Sequence, residues 1–300
     1  MNTQEELVMV KRDKFDSGNN KERIDIHQKE KGLAVPGEDW SKHKEMDYTY
    51  TMFDKIFRLS LGENANFSGA MYDGDYSISL DQAQRQKNEF IAHSLNVVPG
   101  SRLLDLGCGW GGWLKFVKDM GAEGIGVNLS RGQVAACQEN GLNVHLKDAR
   151  YVVPEDFGTF DAVSAMGSLE HVCTIDQYLA GKQDQVYDDY FQHIYNLLPV
   201  GGRFYVQSMV HGKNKIPYEE FDINAPKDSA AYLLALLTKH NPDSWIPYGH
   251  DHIIRVANPY FKKISYSSGR LDYVQTNKEW TKLYLKFSFR KYLILLSLIP

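Results

Sequence analysis

The chain has 300 residues, 43% of them hydrophobic, enough for one large or two modest domains with a sizeable buried core. Its net charge of −4 excludes a nucleic-acid partner held by a basic face. Three cysteines, Cys108, Cys137 and Cys173, at no regular spacing argue against a disulfide framework and fit a reducing cytoplasm.

Residues 1–45 are rich in Lys, Glu, Asp and Asn and read as a polar, poorly ordered leader without the apolar run of a secretory signal. Residues 46–99 read as an N-terminal helical lid. Phe53, Ile56, Phe57 and Leu61 recur at helical spacing, and Leu80, Ala83, Lys87, Phe90 and Leu95 predict a second helix behind Asp81. A loop over 62–75 joins them. From Gly100 to Ser208, short apolar runs alternate with amphipathic segments. The pattern predicts strands over 102–106, 124–128, 144–147, 160–164 and 203–207, with helices over 113–120, 131–139 and 187–198. Such alternation implies an α/β fold with a parallel sheet covered on both faces. Residues 210–270 read as a cap containing a helix over 229–240, and 271–284 as a return to the core. The final apolar stretch, 291–300 behind Arg290, is too short to span a membrane. It is a packing segment, or a membrane-surface or subunit contact, the last of which implies a homodimer.

The first strand ends at Asp105-Leu106 and runs directly into Gly107-Cys108-Gly109-Trp110-Gly111-Gly112. Glycine there permits positive φ and lets a ligand approach the backbone, and the helix that follows aims its first amides at a negative group. A dinucleotide fingerprint has Gly-x-Gly-x-x-Gly and an acidic residue closing the next strand. Here the next strand closes on Val127-Asn128-Leu129-Ser130, without a carboxylate.

Taken together, 104–112, Gly126-Val-Asn-Leu-Ser-Arg-Gly-Gln133 and Ser168-Leu-Glu-His171 resemble the cyclopropane fatty acid synthase and mycolic acid methyltransferase family. Upstream, Asn66-Phe-Ser-Gly-Ala-Met-Tyr72 is similar to that family's cofactor lid. Downstream, Leu271-Asp-Tyr-Val-Gln-Thr-Asn-Lys-Glu-Trp280 is similar to its His-Tyr-x-x-Thr-x-x-x-Trp stretch, with Asp272 in place of the His, so the likeness covers roughly 48–285.

The resemblance implies a class I, Rossmann-like fold and S-adenosylmethionine (SAM) as cosubstrate. By matched position, Asp105, Gly107, Gly109 and Gly111 shape the methionine end of the SAM site and Ser68 closes over it. Asn128, Leu129 and Gln133 meet the ribose and adenine, and Asp148 and Ala149 line the adenine pocket. It also implies chemistry in which an alkene attacks the SAM methyl group and a bound bicarbonate, held in part by Glu170 and Tyr273, removes a proton. Two departures weaken the bicarbonate expectation: the family's lid Cys falls at Gly69, and its fifth-strand His falls at Gln207, which can hydrogen-bond but not titrate. Glu170, Tyr273 and Gln207 are the candidate catalytic residues.

The stretch 174–185 is longer than the family pattern and is expected at the pocket mouth. Trp245, Tyr248, Tyr260, Tyr266 and Tyr273 are either core or an aromatic acceptor tunnel. His250 and His252 are too weak a pair to imply a metal, and none is expected. The expected activity is methyl transfer to an unsaturated lipid or other apolar acceptor. The alternatives are a small-molecule N- or O-methyltransferase and a SAM-binding protein that has lost catalysis.

Overall fold

The structure is a computed structural model and describes residues 3–14, 57, 61, 66–212, 215–241 and 244–297. Of the expected helical lid, residues 46–65 lie outside the described residues except Phe57 and Leu61, as do residues 1–2 and 15–45 of the expected leader.

Seven strands form one sheet: β1 (Thr3–Lys11), β2 (Arg102–Leu106), β3 (Glu123–Asn128), β4 (Asn143–Leu146), β5 (Ala162–Met166), β6 (Arg203–Val210) and β7 (Phe261–Ser268). Their order is β4-β3-β2-β5-β6-β1-β7, with β2 to β6 parallel and β1 antiparallel to both neighbours. The expected α/β fold is thus observed. Strands β2, β3 and β4 match the sequence expectation to within a residue or so, β5 begins two residues later, and β6 runs on to Val210.

Alternation along the strands sends side chains to two cores. On one face Val8, Leu103 and Tyr205 meet the helices α1 (Leu80–Leu95), α2 (Gly112–Asp119) and α3 (Arg131–Glu139) through Ile91, Trp113, Leu114, Val117 and Cys137. On the other, Leu7, Met9, Leu104 and Leu106 form one cluster with Tyr187, Phe191 and Ile194, from a long helix over Gln183–Leu197. Helix α1 starts where Ser79 and Gln82 form a reciprocal capping box, and ends where Asn96 takes the left-handed conformation.

Three expectations need correction. Residues Thr3–Lys11, read as leader, are strand β1 inside the sheet. Leu7, Val8 and Met9 are almost fully buried there, at about 1.5–3 kcal/mol of stabilisation each. Gln4, Glu5 and Glu6 are buried beside them. The expected cap over 210–270 also divides. Its helix α7 (Ala230–His240) lies over the site, α8 (His250–Ala257) is fixed by His252 and Arg255 to Asp184, and 261–268 is sheet strand β7. Helix α9 (Arg270–Leu285), expected in the core, buries only Thr276 and instead clamps the lid. (Between β4 and β6 lie two short helices, α4 over Pro154–Phe157 and α5 over Ile175–Leu179, before α6, the Gln183–Leu197 helix.)

Candidate functional site

Two cavities meet above the carboxyl ends of the parallel strands, where open α/β sheets place ligands. The first, of about 120 Å³, is lined by Ser68, Asp105, Gly107, Gly109, Asn128, Leu129, Gln133, Asp148 and Ala149 among others. Nine of the ten residues expected to bind the cofactor therefore share one wall. The exception is Gly111, which at φ +79° caps α2 and backs onto Leu142 and Cys137. Its role in this structure is to make the turn. Gly107 (φ +80°) is packed so closely that an added Cβ would lie 2.6 Å from the Ser168 Cβ, whereas a Cβ on Gly109 (φ +54°) meets nothing within 4 Å. Gly107 thus serves the packing of the turn, and Gly109 the open space in front of it.

Electrostatics at the loop are set by a buried network. The Asp105 carboxylate accepts from Ser164 Oγ at 2.7 Å, and Ser164 in turn accepts from Trp113 Nε1 at 3.0 Å. Burial pushes the Asp105 carboxyl up to about 7, with the Ser164 bond and Lys87 opposing. Lys87 is itself fully buried; desolvation draws its ammonium down to about 7, and its Nζ donates to Ser68 Oγ at 2.6 Å. The sequence showed Lys87 only as one position on a helix face. Asn128 donates to Gln133 Oε1 (2.9 Å) and to the Gly109 carbonyl (3.2 Å), tying the second strand end to the glycine loop. Asp148 is gripped by Arg150 Nη2 at 2.6 Å.

The second cavity, of about 270 Å³, shares Phe67, Ser68, Gly167 and His171 with the first. All three candidate catalytic residues, Glu170, Tyr273 and Gln207, line it, with Leu234 and Leu237 of α7 and the rings of Phe221, Trp245 and Trp280. Of the five aromatics read as core or tunnel, Trp245 and Tyr273 face this cavity, Tyr248 stacks on His211 and His252, Tyr260 is core, and Tyr266 stacks on His250 at the sheet edge. From the 174–185 stretch, Tyr178 stacks on Trp245 with ring centroids 4.0 Å apart. Glu170 Oε1 accepts from the Met209 N–H at 2.6 Å, while its buried Oε2 has no hydrogen-bond partner among the described residues. Burial raises this carboxyl to about 7. His171 is held neutral by burial, its Nδ1 at 2.6 Å from Ser244 Oγ.

The lid motif and the downstream motif explain each other. Asp272, Thr276 and Trp280 recur every four residues and so share one face of α9. Asp272 accepts from the Tyr72 N–H (2.9 Å), Thr276 Oγ1 from the Ala70 N–H (2.9 Å), and Trp280 stacks on Phe67 at 5.1 Å.

Around Gly69 and Gln207 the residues do not fit a bound bicarbonate. A Cβ at Gly69 would collide with the side chain of Gln4, which fills that space. Gln207 Nε2 is committed to Glu6 Oε1 (2.9 Å) and the Gly69 carbonyl (3.3 Å). Glu6 also accepts from Ser267 Oγ at 3.0 Å. A carboxylate thus stands where the anion would need donors.

Comparison with known proteins places the chain in a family. The chain matches the family described as mycolic acid cyclopropane synthetase over residues 38–288. It is 28% identical over 189 residues to hydroxymycolate synthase MmaA4 of Mycobacterium bovis, covering 61% of this chain and 58% of that protein. Cyclopropane mycolic acid synthase 2 of the same organism is 26% identical over 239 residues, or 77% of this chain and 76% of that protein. Among solved structures, mycolic acid cyclopropane synthase CmaA1 complexed with SAH and CTAB superposes with a TM-score of 0.65 at 21% identity, covering 83% of this chain and 84% of that one. With a family match over most of its length and the glycine loop at a strand end, the chain belongs to the mycolic acid cyclopropane synthetase family of SAM-dependent methyltransferases.

Proposed function

We propose that the protein transfers the methyl group of SAM to an alkene carbon of an unsaturated acyl chain. The observation that carries this reading is the pair of adjoining cavities: the glycine loop lines one, and Glu170, Tyr273 and Gln207 line the other, across a shared wall at Phe67, Ser68, Gly167 and His171. In the first, Asp105, Gly107 and Gly109 receive the methionine end under Ser68. Asn128, Leu129 and Gln133 receive the ribose and adenine, with Asp148 and Ala149 beside the base. The SAM sulfonium makes its methyl carbon electrophilic without activation, so the enzyme's work is alignment and charge stabilisation. As the alkene pair attacks and the C–S bond breaks, positive charge develops on the neighbouring carbon. Glu170 and the ring of Tyr273 face that charge in a water-poor cavity, where such interactions are strongest. Gln207 and Glu6 hold the wall behind it.

The names of the relatives, hydroxymycolate and cyclopropane mycolic acid synthases, support a lipid acceptor. The binding half of the reading is tested by titrating sodium oleate into protein saturated with SAH, following Trp fluorescence. Saturable quenching that a Trp245→Phe variant weakens is the expected result. Competition between oleate and SAH for one site contradicts it.

A lipid surface as the source of the acceptor is supported by α10 (Phe289–Ser297), next in the chain to the cavity-lining α9. Phe287, Phe289, Tyr292 and Leu293 are at least half exposed there, among the exposed cations Lys286 and Arg290. No described helix is long and apolar enough to cross a membrane. The paired change Phe289→Glu, Leu293→Glu is expected to abolish co-sedimentation with vesicles of unsaturated phosphatidylglycerol while leaving SAM affinity intact. Undiminished co-sedimentation removes α10 from the contact.

A further inference from the structure

Methyl addition to an alkene leaves a cation that must lose a proton, and the bicarbonate expected for that task does not fit between Gln4, Glu6 and Gln207. The acceptor cavity contains a group with no assigned duty. His211 follows directly on β6, lines the cavity and is 95% buried, yet neither Nδ1 nor Nε2 has a hydrogen-bond partner among the described residues. Buried polar groups in native proteins are nearly always paired, so an imidazole whose two nitrogens have no partner among the described residues and which lines a cavity is placed to meet a ligand or a proton.

Its surroundings fix the ring and keep it neutral. The His211 N–H of the backbone donates to the Pro247 carbonyl at 2.7 Å, and the imidazole lies between the rings of Trp245 (5.2 Å) and Tyr248 (5.4 Å, nearly parallel). Lys215 Nζ sits over Tyr248 at 3.5 Å from the ring centroid. Burial, with Lys215 adding to it, lowers the imidazolium to about 4, so the ring enters the reaction unprotonated.

We propose that His211 is the proton acceptor that ends the reaction, in place of an external base. This inference rests on the proposed alkene acceptor. The steps balance without a further reagent. The alkene π pair forms the bond to the methyl carbon, and the C–S pair stays on sulfur to give S-adenosylhomocysteine. A ring nitrogen of His211 then takes a proton either from the new methyl group, which lies one carbon removed from the cationic centre, or from a chain carbon beside that centre. The C–H pair closes a cyclopropane if the proton leaves the new methyl group, or a double bond if it leaves the chain. A weak base suffices, because C–H bonds beside a carbocation are strongly acidic. The positive charge moves from carbon to imidazolium within one cavity, so the Glu170 carboxylate offsets it before and after the transfer. Glu170 Oε1 is already held by the Met209 N–H, which suits a fixed counter-charge.

The test uses the full chain, SAM labelled in its methyl group and vesicles of unsaturated phosphatidylglycerol. His211→Ala is expected to lower turnover about a hundredfold or more, the usual contribution of a positioned base, with SAM affinity unchanged. Added imidazole should restore part of that turnover, and Glu170→Gln should show no such rescue. His211→Asn, closer in size, is expected to fold, bind SAM and remain slow, which separates a lost base from a lost fold. Parental turnover and products in either His211 variant overturn the proposal, as does a loss that imidazole leaves untouched. A parent protein that methylates no unsaturated lipid is a separate failure: it removes the alkene reading itself, and the role of His211 with it.

Discussion

Replacing Gly109 with leucine is expected to abolish SAM binding while leaving the fold standing. The added side chain points into the space in front of the loop, where nothing but its chain neighbours lies within 4 Å of the new Cβ, and Gly109 lines the first cavity, where SAM is proposed to bind. Its backbone, at φ +54°, costs a non-glycine residue about 1–2 kcal/mol. At roughly 2–4 °C per kcal/mol, the melting temperature should fall by only a few degrees. Gly107→Ala should do the reverse: a modest side chain, but one driven into Ser168 at 2.6 Å, so that stability suffers first. Calorimetric titration of SAM together with thermal unfolding separates the two. Full SAM affinity in Gly109→Leu contradicts the assignment of the loop.

Glu170→Gln is expected to keep SAM affinity and lower turnover on the order of a hundredfold, the scale seen when one preorganised charge-stabilising group is removed. The amide keeps the size of the side chain but cannot neutralise a carbocation, and Met209 retains an oxygen to donate to. The pH profile supplies a second reading. Burial raises the Glu170 carboxyl to about 7, so it is neutral below that pH and anionic above it. Turnover in the parent should therefore rise with pH through the neutral region, and the Gln variant should lose that rise. Asp105, raised to about 7 by the same cause, predicts a parallel rise in SAM affinity, since its carboxylate attracts a cationic ligand only when ionised. Both midpoints should lie lower in the SAM complex, where the ligand's positive charge favours the carboxylates. A Gln variant with parental turnover removes Glu170 from the mechanism.

The parallel half of the sheet was legible in the sequence because its strands are short, apolar-rich runs set between helical segments, as in Leu103-Leu104 and Leu106 either side of Asp105. That the residues read as cofactor-binding would come together was legible for a related reason, since a strand end followed by glycines is a local signal; nine of them line one cavity. Strand β1 was not. Its Gln4, Glu5 and Glu6 look like solvated residues, yet Glu6 is held by Gln207 and Ser267, some two hundred and more positions away, and Gln4 fills the space beside Gly69. Nothing local announces such a pairing. The same holds for Lys87, whose burial against Ser68 and Asp105 is invisible in a helical pattern that also suits a surface lysine. Helix α9 shows the same limit: 271–284 reads as a return to the core, yet Leu271 and Val274 are exposed, and the face that makes the contacts is the polar one of Asp272 and Thr276. His211 had no motif around it at all; an unpartnered side chain is a property of three-dimensional surroundings.

The account turns on methyl transfer to an apolar alkene, and one measurement addresses that directly. SAM labelled in its methyl group is incubated in parallel with vesicles of unsaturated phospholipid and with a lipid-free metabolite extract, and products are resolved by mass spectrometry. Label in the acyl chains is the predicted result, and the remaining double bonds in the product tell ring closure from a simple methyl branch. Label confined to the soluble extract contradicts the account and leaves the second cavity a site for a polar acceptor.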